Sequence, residues 1–241
     1  MSLEGKTILI TGGAQRIGRS LALTVTRAGA DVVIHYRTSP REAEAARAAI
    51  QASGRKAFLL QADLADSAQA GDLIPRALEH GPLFALVNNA AIFEPLTWEN
   101  TDLDGWNRHL AINLTAPFLL SQAFARTLGP GQTGRIVNLL DWRALRPAAD
   151  HLPYTVSKAA LAALTRSLAV ALAPRVTVNG LALGAVLPPS DGAAPKAILD
   201  SVPARRWADL EEVGQSLLFL LDGPAYVTGE ILHVDGGRHL I

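Results

Sequence analysis

Thr7-Ile8-Leu9-Ile10-Thr11-Gly12-Gly13-Ala14-Gln15-Arg16-Ile17-Gly18 decides the fold of this chain. Thr7–Thr11 is apolar or β-branched at consecutive positions, as in a parallel strand covered on both faces. It runs straight into glycines and then into the helical pattern of Arg16–Ala28. In such a strand–loop–helix unit glycine lets the backbone approach a pyrophosphate, and the helix start offers unpaired N–H groups to the anion. The spacing departs from the common G-x-G-x-x-G fingerprint, and a plain glycine-rich turn would look similar. Gly12, Arg16, Ile17 and Gly18 are the first candidate cofactor contacts.

Outward from this unit the same alternation repeats. Further strand-like runs are Val32–His35, Ala57–Gln61, Ala85–Asn88, Arg135–Leu140, Val176–Leu181 and Ile231–Val234. Helical patterns lie between them at Pro40–Ser53, Ala68–His80, Trp106–Leu128, Tyr154–Ala173 and Leu210–Leu221. The expected fold is α/β: a Rossmann-type doubly wound parallel sheet of about seven strands with helices on both faces. One domain, residues 1–241, accounts for the pattern. The Pro- and Gly-bearing stretch Gly184–Pro195 is expected to be a mobile loop rather than a boundary. Ligands of such a sheet bind at the carboxyl ends of the strands, so the chemistry is sought there.

Composition excludes several classes. Of 241 residues 49% are hydrophobic and 18% charged, which supplies a core and argues against disorder. There are no cysteines, which excludes a disulfide framework, Cys-ligated zinc, iron–sulfur clusters and thiol catalysis, and suits a reducing cytoplasm. The six histidines form no tight ligand cluster, so no metal is expected. The 22 basic and 22 acidic side chains balance, giving no footprint for nucleic acid or an anionic membrane. The N-terminus lacks the pattern of a secretory signal. The most membrane-like stretch, Ala159 to Ala173, carries Arg166 and falls short of about 20 apolar residues, so it is expected to be a buried helix.

The end of the second strand reads His35-Tyr36-Arg37-Thr38-Ser39, with no carboxylate to meet an adenosine ribose. Arg37 can pair with a 2′-phosphate and the two hydroxyls can add hydrogen bonds, which favours NADP over NAD. A solvated loop would also carry such residues. Asp63-Leu64 follows the third strand, where a carboxylate and an apolar edge can meet adenine, or where an aspartate simply caps a turn. Asn88-Asn89-Ala90-Ala91 ends the fourth strand, with Asn89 and Ala90 placed to line the cofactor. Phe93 follows and could flank a planar ligand, although a lone loop aromatic more often packs. Tyr154-Thr155-Val156-Ser157-Lys158 puts a phenol and an ammonium four apart, on one helix face. A nearby cation stabilises phenolate, so Lys158 can tune Tyr154 as an acid or base and hold a ribose.

Together the glycine loop, Asn88–Ala91, Asn113 and Tyr154/Lys158 resemble the short-chain dehydrogenase/reductases over essentially the whole chain. The resemblance implies hydride transfer between NAD(P)H and a small-molecule substrate. Tyr154 would be the acid/base, Lys158 would lower its pKa, and Asn113 would support a proton-relay water. Gly184 would join the cofactor contacts. Most members carry a serine thirteen residues before the tyrosine, and here that position is Asp141. Arg16 before Ile17-Gly18, the His35–Ser39 run, Asn89 with Phe93, and Asp141/Tyr154/Lys158 are similar to the pteridine reductases. The ending Asp235-Gly236-Gly237-Arg238-His239-Leu240 is similar to their dihydromonapterin reductase branch. Ala91 and Leu183-Gly184-Ala185-Val186 depart from that pattern.

These residues imply an NADPH-dependent reductase of a pterin or dihydropterin. A carboxyl whose pKa is raised by an apolar site can protonate a ring nitrogen, a task for which a serine is poorly suited. Arg16, Phe93, Asp141 and Tyr154 would then touch substrate. Alternatives are a reductase of a carbonyl, such as a 3-oxoacyl thioester or a sugar-derived ketone, and a non-catalytic NADP-binding sensor. The resemblance also implies a cytoplasmic homo-oligomer, a tetramer in many relatives.

Overall fold

Seven parallel strands carry the molecule: β1 (Thr7–Ile10), β2 (Asp31–Tyr36), β3 (Ala57–Gln61), β4 (Ala85–Asn88), β5 (Gly134–Asp141), β6 (Val176–Leu183) and β7 (Ile231–Val234). They lie in the order β3-β2-β1-β4-β5-β6-β7. The structure, a computed structural model, describes residues 2–188 and 196–241. The helices are α1 (Arg16–Arg27), α2 (Pro40–Ala52), α3 (Ser67–Leu78), α4 (Leu103–Leu110), α5 (Ala116–Thr127), α6 (Leu152–Leu172), α7 (Lys196–Asp200) and α8 (Leu210–Asp222).

Strand periodicity explains the layers. Side chains alternate across a sheet, so consecutive apolar residues serve two cores. Ile8 and Ile10 join the core made with Leu21 of α1, Ile50 of α2 and Leu217 of α8. Leu9 joins Leu73 of α3 and Leu120 and Phe124 of α5 on the other side. The chain thus winds one way from β1 to β3 and the other way from β4, so the connections leaving the paired strands β1 and β4 diverge. That switch point creates the cleft.

Four features differ from the expectations. The single helix expected at Trp106–Leu128 is α4 and α5 joined by a π-helical segment, Ala111–Thr115. Pro117 has no N–H to give to the fourth residue before it, Asn113, and its ring crowds that carbonyl, so the winding widens there. β5 and β6 run on to Asp141 and Leu183, which pair with each other in register. α6 starts at Leu152 with Pro153 in its first turn, where a missing N–H costs nothing. A short helix not expected from sequence, α7, follows the Gly184–Pro195 stretch, of which residues 189–195 lie outside the described residues.

α6 is long and apolar enough to cross a membrane by hydropathy alone. Leu161, Ala162, Thr165 and Ala169 are nevertheless buried within the protein, as expected of a core helix.

Candidate functional site

The glycine loop is built to be bare. Gly12 sits at φ +61°, and a Cβ there would lie 3.1 Å from Cα of Ala90. A Cβ on Gly18 would fall 2.1 Å from the Gly12 carbonyl oxygen and 2.6 Å from Asn89 Nδ2. Side chains at these two positions would separate the loop, the start of α1 and the end of β4. Thr11 Oγ1 accepts from the Asn89 and Ala90 N–H groups at 2.9 and 3.0 Å, while Asn89 Nδ2 donates to the Thr11 and Gly12 carbonyls at 2.8 and 3.2 Å. Thr11, a residue not singled out from sequence, is the peg of this joint. Its signal was its place at the carboxyl end of β1.

His35 acts through that loop. The Gly12 N–H donates to Nδ1 at 3.1 Å, so Nδ1 carries no proton, and Nε2–H donates to the Ala62 carbonyl at 3.1 Å. Burial lowers the His35 pKa to about 4. Both ring nitrogens are spent within the protein, which leaves His35 as a brace whose ring lines the cavity. Tyr36, Arg37, Thr38 and Ser39 follow at the rim, with Arg37 and Thr38 exposed. Gln61 Nε2 donates to the Arg37 carbonyl at 2.9 Å, which ties this rim to β3. Asp63 Oδ1 accepts from the Ala65 N–H at 2.9 Å and thereby forms a turn, while Leu64 is buried beside it. The cavity over these residues measures about 430 Å³ and includes Ile17 and Ala90 in its lining. Bare loop, helix start and a cationic, carboxylate-free rim at Arg37–Ser39 fit a dinucleotide phosphorylated on its ribose.

A second cavity of about 900 Å³ continues from the first past Arg16, Ile17, Asn89, Ala91 and Phe93. Here the sequence-predicted chemical groups meet. Asp141 closes β5, Tyr154 lies in the first turn of α6, and Lys158 stands one turn on. The Tyr154 hydroxyl donates to Asp141 Oδ2 at 3.1 Å, and the Arg143 N–H donates to Asp141 Oδ1 at 2.9 Å. Lys158 Nζ donates to the Leu139 carbonyl at 2.6 Å and lies 5.8 Å from the Tyr154 ring centre.

Electrostatics here correct one expectation. Lys158 was expected to lower the Tyr154 pKa, but burial, followed by the Asp141 charge, pushes it well above its ordinary value. The carboxylate touches the phenol while the ammonium is turned to a carbonyl. Burial likewise raises Asp141, against the opposing pull of Arg143, Tyr154 and Lys158. Lys158 itself is lowered to about 8 by burial. The site therefore favours retention of protons on Tyr154 and Asp141.

Asn113 is also more occupied than expected. Its Oδ1 accepts from the Ile92 N–H at 3.0 Å, and its Nδ2 donates to the Ile92 carbonyl at 3.1 Å and to Ser157 Oγ at 3.0 Å. The side chain fastens the loop after β4 to α6. Gly184 lines the second cavity, and its missing side chain has a packing cause: a Cβ would lie 2.6 Å from Cα of Asp235.

Phe93 is 51% exposed, yet one face is taken. The His151 ring stacks on it at 3.9 Å and 6°, and Tyr154 meets it edge-on at 4.6 Å. Asp150 accepts from His151 Nδ1 at 2.9 Å and from Arg143 Nη2 at 3.0 Å. Trp142 lies beneath the guanidinium carbons of Arg143 at 4.9 Å and Arg238 at 4.1 Å. Trp142, Arg143, Asp150 and His151 were not found from sequence, because they follow no motif spacing and meet Phe93 and Arg238 only in the fold. Arg16, at φ +51°, donates from Nη2 to the Pro188 carbonyl at 3.2 Å and so links the glycine loop to the segment after β6.

Comparison with known proteins agrees with this architecture. The family described as enoyl-(acyl carrier protein) reductase matches residues 12–239. A 3-oxoacyl-[acyl-carrier-protein] reductase of Synechocystis sp. is 32% identical, covering 98% of each chain. The crystal structure of FolM alternative dihydrofolate reductase 1 from Brucella canis, complexed with NADP, superposes with a TM-score of 0.92 at 35% identity, over 100% of this chain and 97% of that one. A short chain dehydrogenase from Burkholderia cenocepacia, in complex with NADP, gives 0.93 at 36% identity over 99% of both. With near-complete coverage by sequence and structure alike, this chain belongs to the short-chain dehydrogenase/reductase family.

Proposed function

We propose that this protein is an NADPH-dependent reductase of a dihydropterin. The observation that carries the reading is the 3.1 Å contact between the Tyr154 hydroxyl and Asp141 Oδ2. Reduction of a ring C=N bond adds hydride to carbon and a proton to nitrogen. NADPH, when bound, supplies the hydride. Gly12, Ile17, Gly18, Asn89 and Ala90 cradle the cofactor, Arg37, Thr38 and Ser39 meet its 2′-phosphate, and Lys158 holds its nicotinamide ribose. His35 and Gly184 keep the backbone of that cradle in place. Asp63 and Leu64 border its adenine end.

Asp141, raised above the usual carboxyl range by burial, donates the proton to the ring nitrogen. The carboxylate left behind is met by the Tyr154 hydroxyl and the Arg143 N–H, with the charge of Lys158 nearby. Tyr154 keeps its own proton and stabilises that carboxylate through the same hydrogen bond, and Asp141 regains a proton from solvent before the next turnover. Phe93 and Arg16 border the substrate, and Asn113 holds the wall in place.

The second reading, a 3-oxoacyl thioester reductase, draws on the Synechocystis relative and the matched family. There Tyr154 would protonate a carbonyl oxygen directly, but its hydroxyl is already directed at Asp141. NADPH oxidation with dihydrobiopterin, dihydromonapterin, dihydrofolate and a ketone panel distinguishes the two. Turnover of dihydropterins supports the first reading; turnover of ketones or 3-oxoacyl thioesters alone removes it.

For assembly we propose a homotetramer in the cytoplasm, folded as one domain. Phe118 of α5 and Val170 of α6 are exposed, 39% and 82%, on helices able to pack against a second copy.

A further inference from the structure

The wall beside Phe93, where the Arg143 guanidinium lies 5.6 Å from the ring centre, carries a charge that the proposed proton chemistry does not use. Arg238 lies on the C-terminal segment, far from Asp141 in sequence, yet both line the 900 Å³ cavity. Its guanidinium carbon sits 4.1 Å from the Trp142 ring centre, and Arg143 approaches the same ring at 4.9 Å. The Nε atoms of both arginines are closed to solvent and have no hydrogen-bond partner among the described residues. Arg143 is partly neutralised: Asp150 accepts from it at 3.0 Å, and Asp141 Oδ1 is 3.9 Å away. Arg238 makes no salt bridge among the described residues. The nearest acid in sequence, Asp235, is taken by the Gly237 and His239 N–H groups and the His239 ring, at 2.9, 2.8 and 2.8 Å.

A guanidinium partly drawn out of water, set beside a second one and paired directly with none of the nearby carboxylates of Asp141, Asp150 and Asp235, is better satisfied when an anion arrives. Burial, followed by the Arg143 charge, lowers the Arg238 pKa against the opposing pull of Asp141, Asp150 and Asp235. Trp142, itself buried, carries both guanidinium groups on its ring and so fixes their place in the cavity wall.

We propose that Arg238, with Arg143 and Trp142, forms a subsite for the anionic tail of the substrate, a carboxylate or a phosphate. The enzyme thus selects substrates whose reacting ring or carbonyl carries an acidic appendage. This rests on the cleft being the substrate site, as in the function proposed above, but not on the reacting group being a pterin.

The test compares substrates alike at the reacting group and different in tail charge, with the holoenzyme. One pair is dihydrofolate, a dicarboxylate, and dihydromonapterin, which is neutral in its side chain. The other is 3-oxobutanoyl-coenzyme A, with its phosphates, and the uncharged N-acetylcysteamine thioester. Affinity is read by calorimetry with NADP⁺ bound, and kcat/KM where turnover occurs. The charged member of one pair should be favoured by about tenfold or more, and Arg238→Gln should abolish most of that preference. The favoured pair tells whether the anion is a carboxylate or a phosphate. Equal affinity within both pairs, or a preference that survives in Arg238→Gln, overturns the subsite. The pterin reading fails separately, if no dihydropterin is reduced whatever its tail.

Discussion

The Tyr154 hydroxyl donates to Asp141 Oδ2 across 3.1 Å, a bond that holds the phenol in its protonated form while favouring the carboxylate. The Asp141 charge is among the causes that raise the phenol, and burial raises the carboxyl. Two acids in contact titrate as a pair, so the proton between them is shared property of the site.

Asp141→Asn should therefore remove the acid while retaining the shape. Dihydropterin turnover is expected to fall by roughly 10²–10⁴-fold, the span of a general acid. In the wild type the rate should decline as pH rises through the elevated Asp141 value, because only the protonated carboxyl donates. The Asn variant should lose that limb. Similar rates and superimposable pH–rate profiles would make Asp141 merely structural.

Tyr154→Phe keeps the ring against Phe93 and removes the hydroxyl. Turnover should drop by at least about 10²-fold while NADPH affinity survives. Lys158→Ala should damage both, since the ammonium serves the ribose as well as the charge balance. With Lys158 lowered to about 8, cofactor binding in the wild type should weaken as pH rises past that value. Stopped-flow turnover and fluorescence titration of NADPH separate the two effects.

Cofactor choice should reside at the rim of β2. Arg37 is exposed there with no acidic neighbour in the Tyr36–Ser39 run. A charge-assisted contact to a 2′-phosphate is worth about 1.5–3 kcal/mol, or roughly ten- to a hundredfold in affinity. Arg37→Asp should forfeit that preference and move selection toward NADH. Equal binding of the two cofactors by wild type would contradict it.

Neutral His35 should make the fold sensitive to acid. An unfolded histidine takes a proton near pH 6.5, whereas His35 in the fold resists until about 4. Between those values the unfolded chain binds the extra proton. Stability from this residue is thus full above about pH 6.5, falls as pH falls, and is lost below about 4, amounting to about 3 kcal/mol. His35→Gln can make similar contacts without titrating. Urea midpoints at pH 7 and pH 4.5 should differ less in the variant than in wild type, and parallel losses would argue against the neutral brace.

The fold was legible because its signals are local. Thr7–Ile10 meets two cores with consecutive apolar residues, and Gly12–Gly18 marks a turn that tolerates no side chain at its closest approaches. The grouping of Asp141, Tyr154 and Lys158 was legible too, through spacing along one strand end and one helix face. The π-helical segment was not, because one proline carries the signal and a continuous helix satisfies the same apolar period. Nor was the Tyr154 pKa shift: sequence places Lys158 one turn away but does not say that its ammonium turns to the Leu139 carbonyl. The Arg143–Trp142–Arg238 cluster joins the end of β5 to the segment after β7, a contact that only the folded sheet creates.

Ser157 Oγ donates to the Tyr154 carbonyl at 2.7 Å and accepts from Asn113, which also clasps Ile92 through both backbone groups. Ile92 adjoins Phe93. A single rivet in the widened turn of the helix thus sets the spacing between the aromatic border of the cleft and its proton donor. Neither can drift without the other, so changes in substrate shape are more easily met by side-chain replacement on the far wall than by displacement of this one. That side of the enzyme behaves as a fixed jaw, and evolution of specificity is channelled toward its opposite.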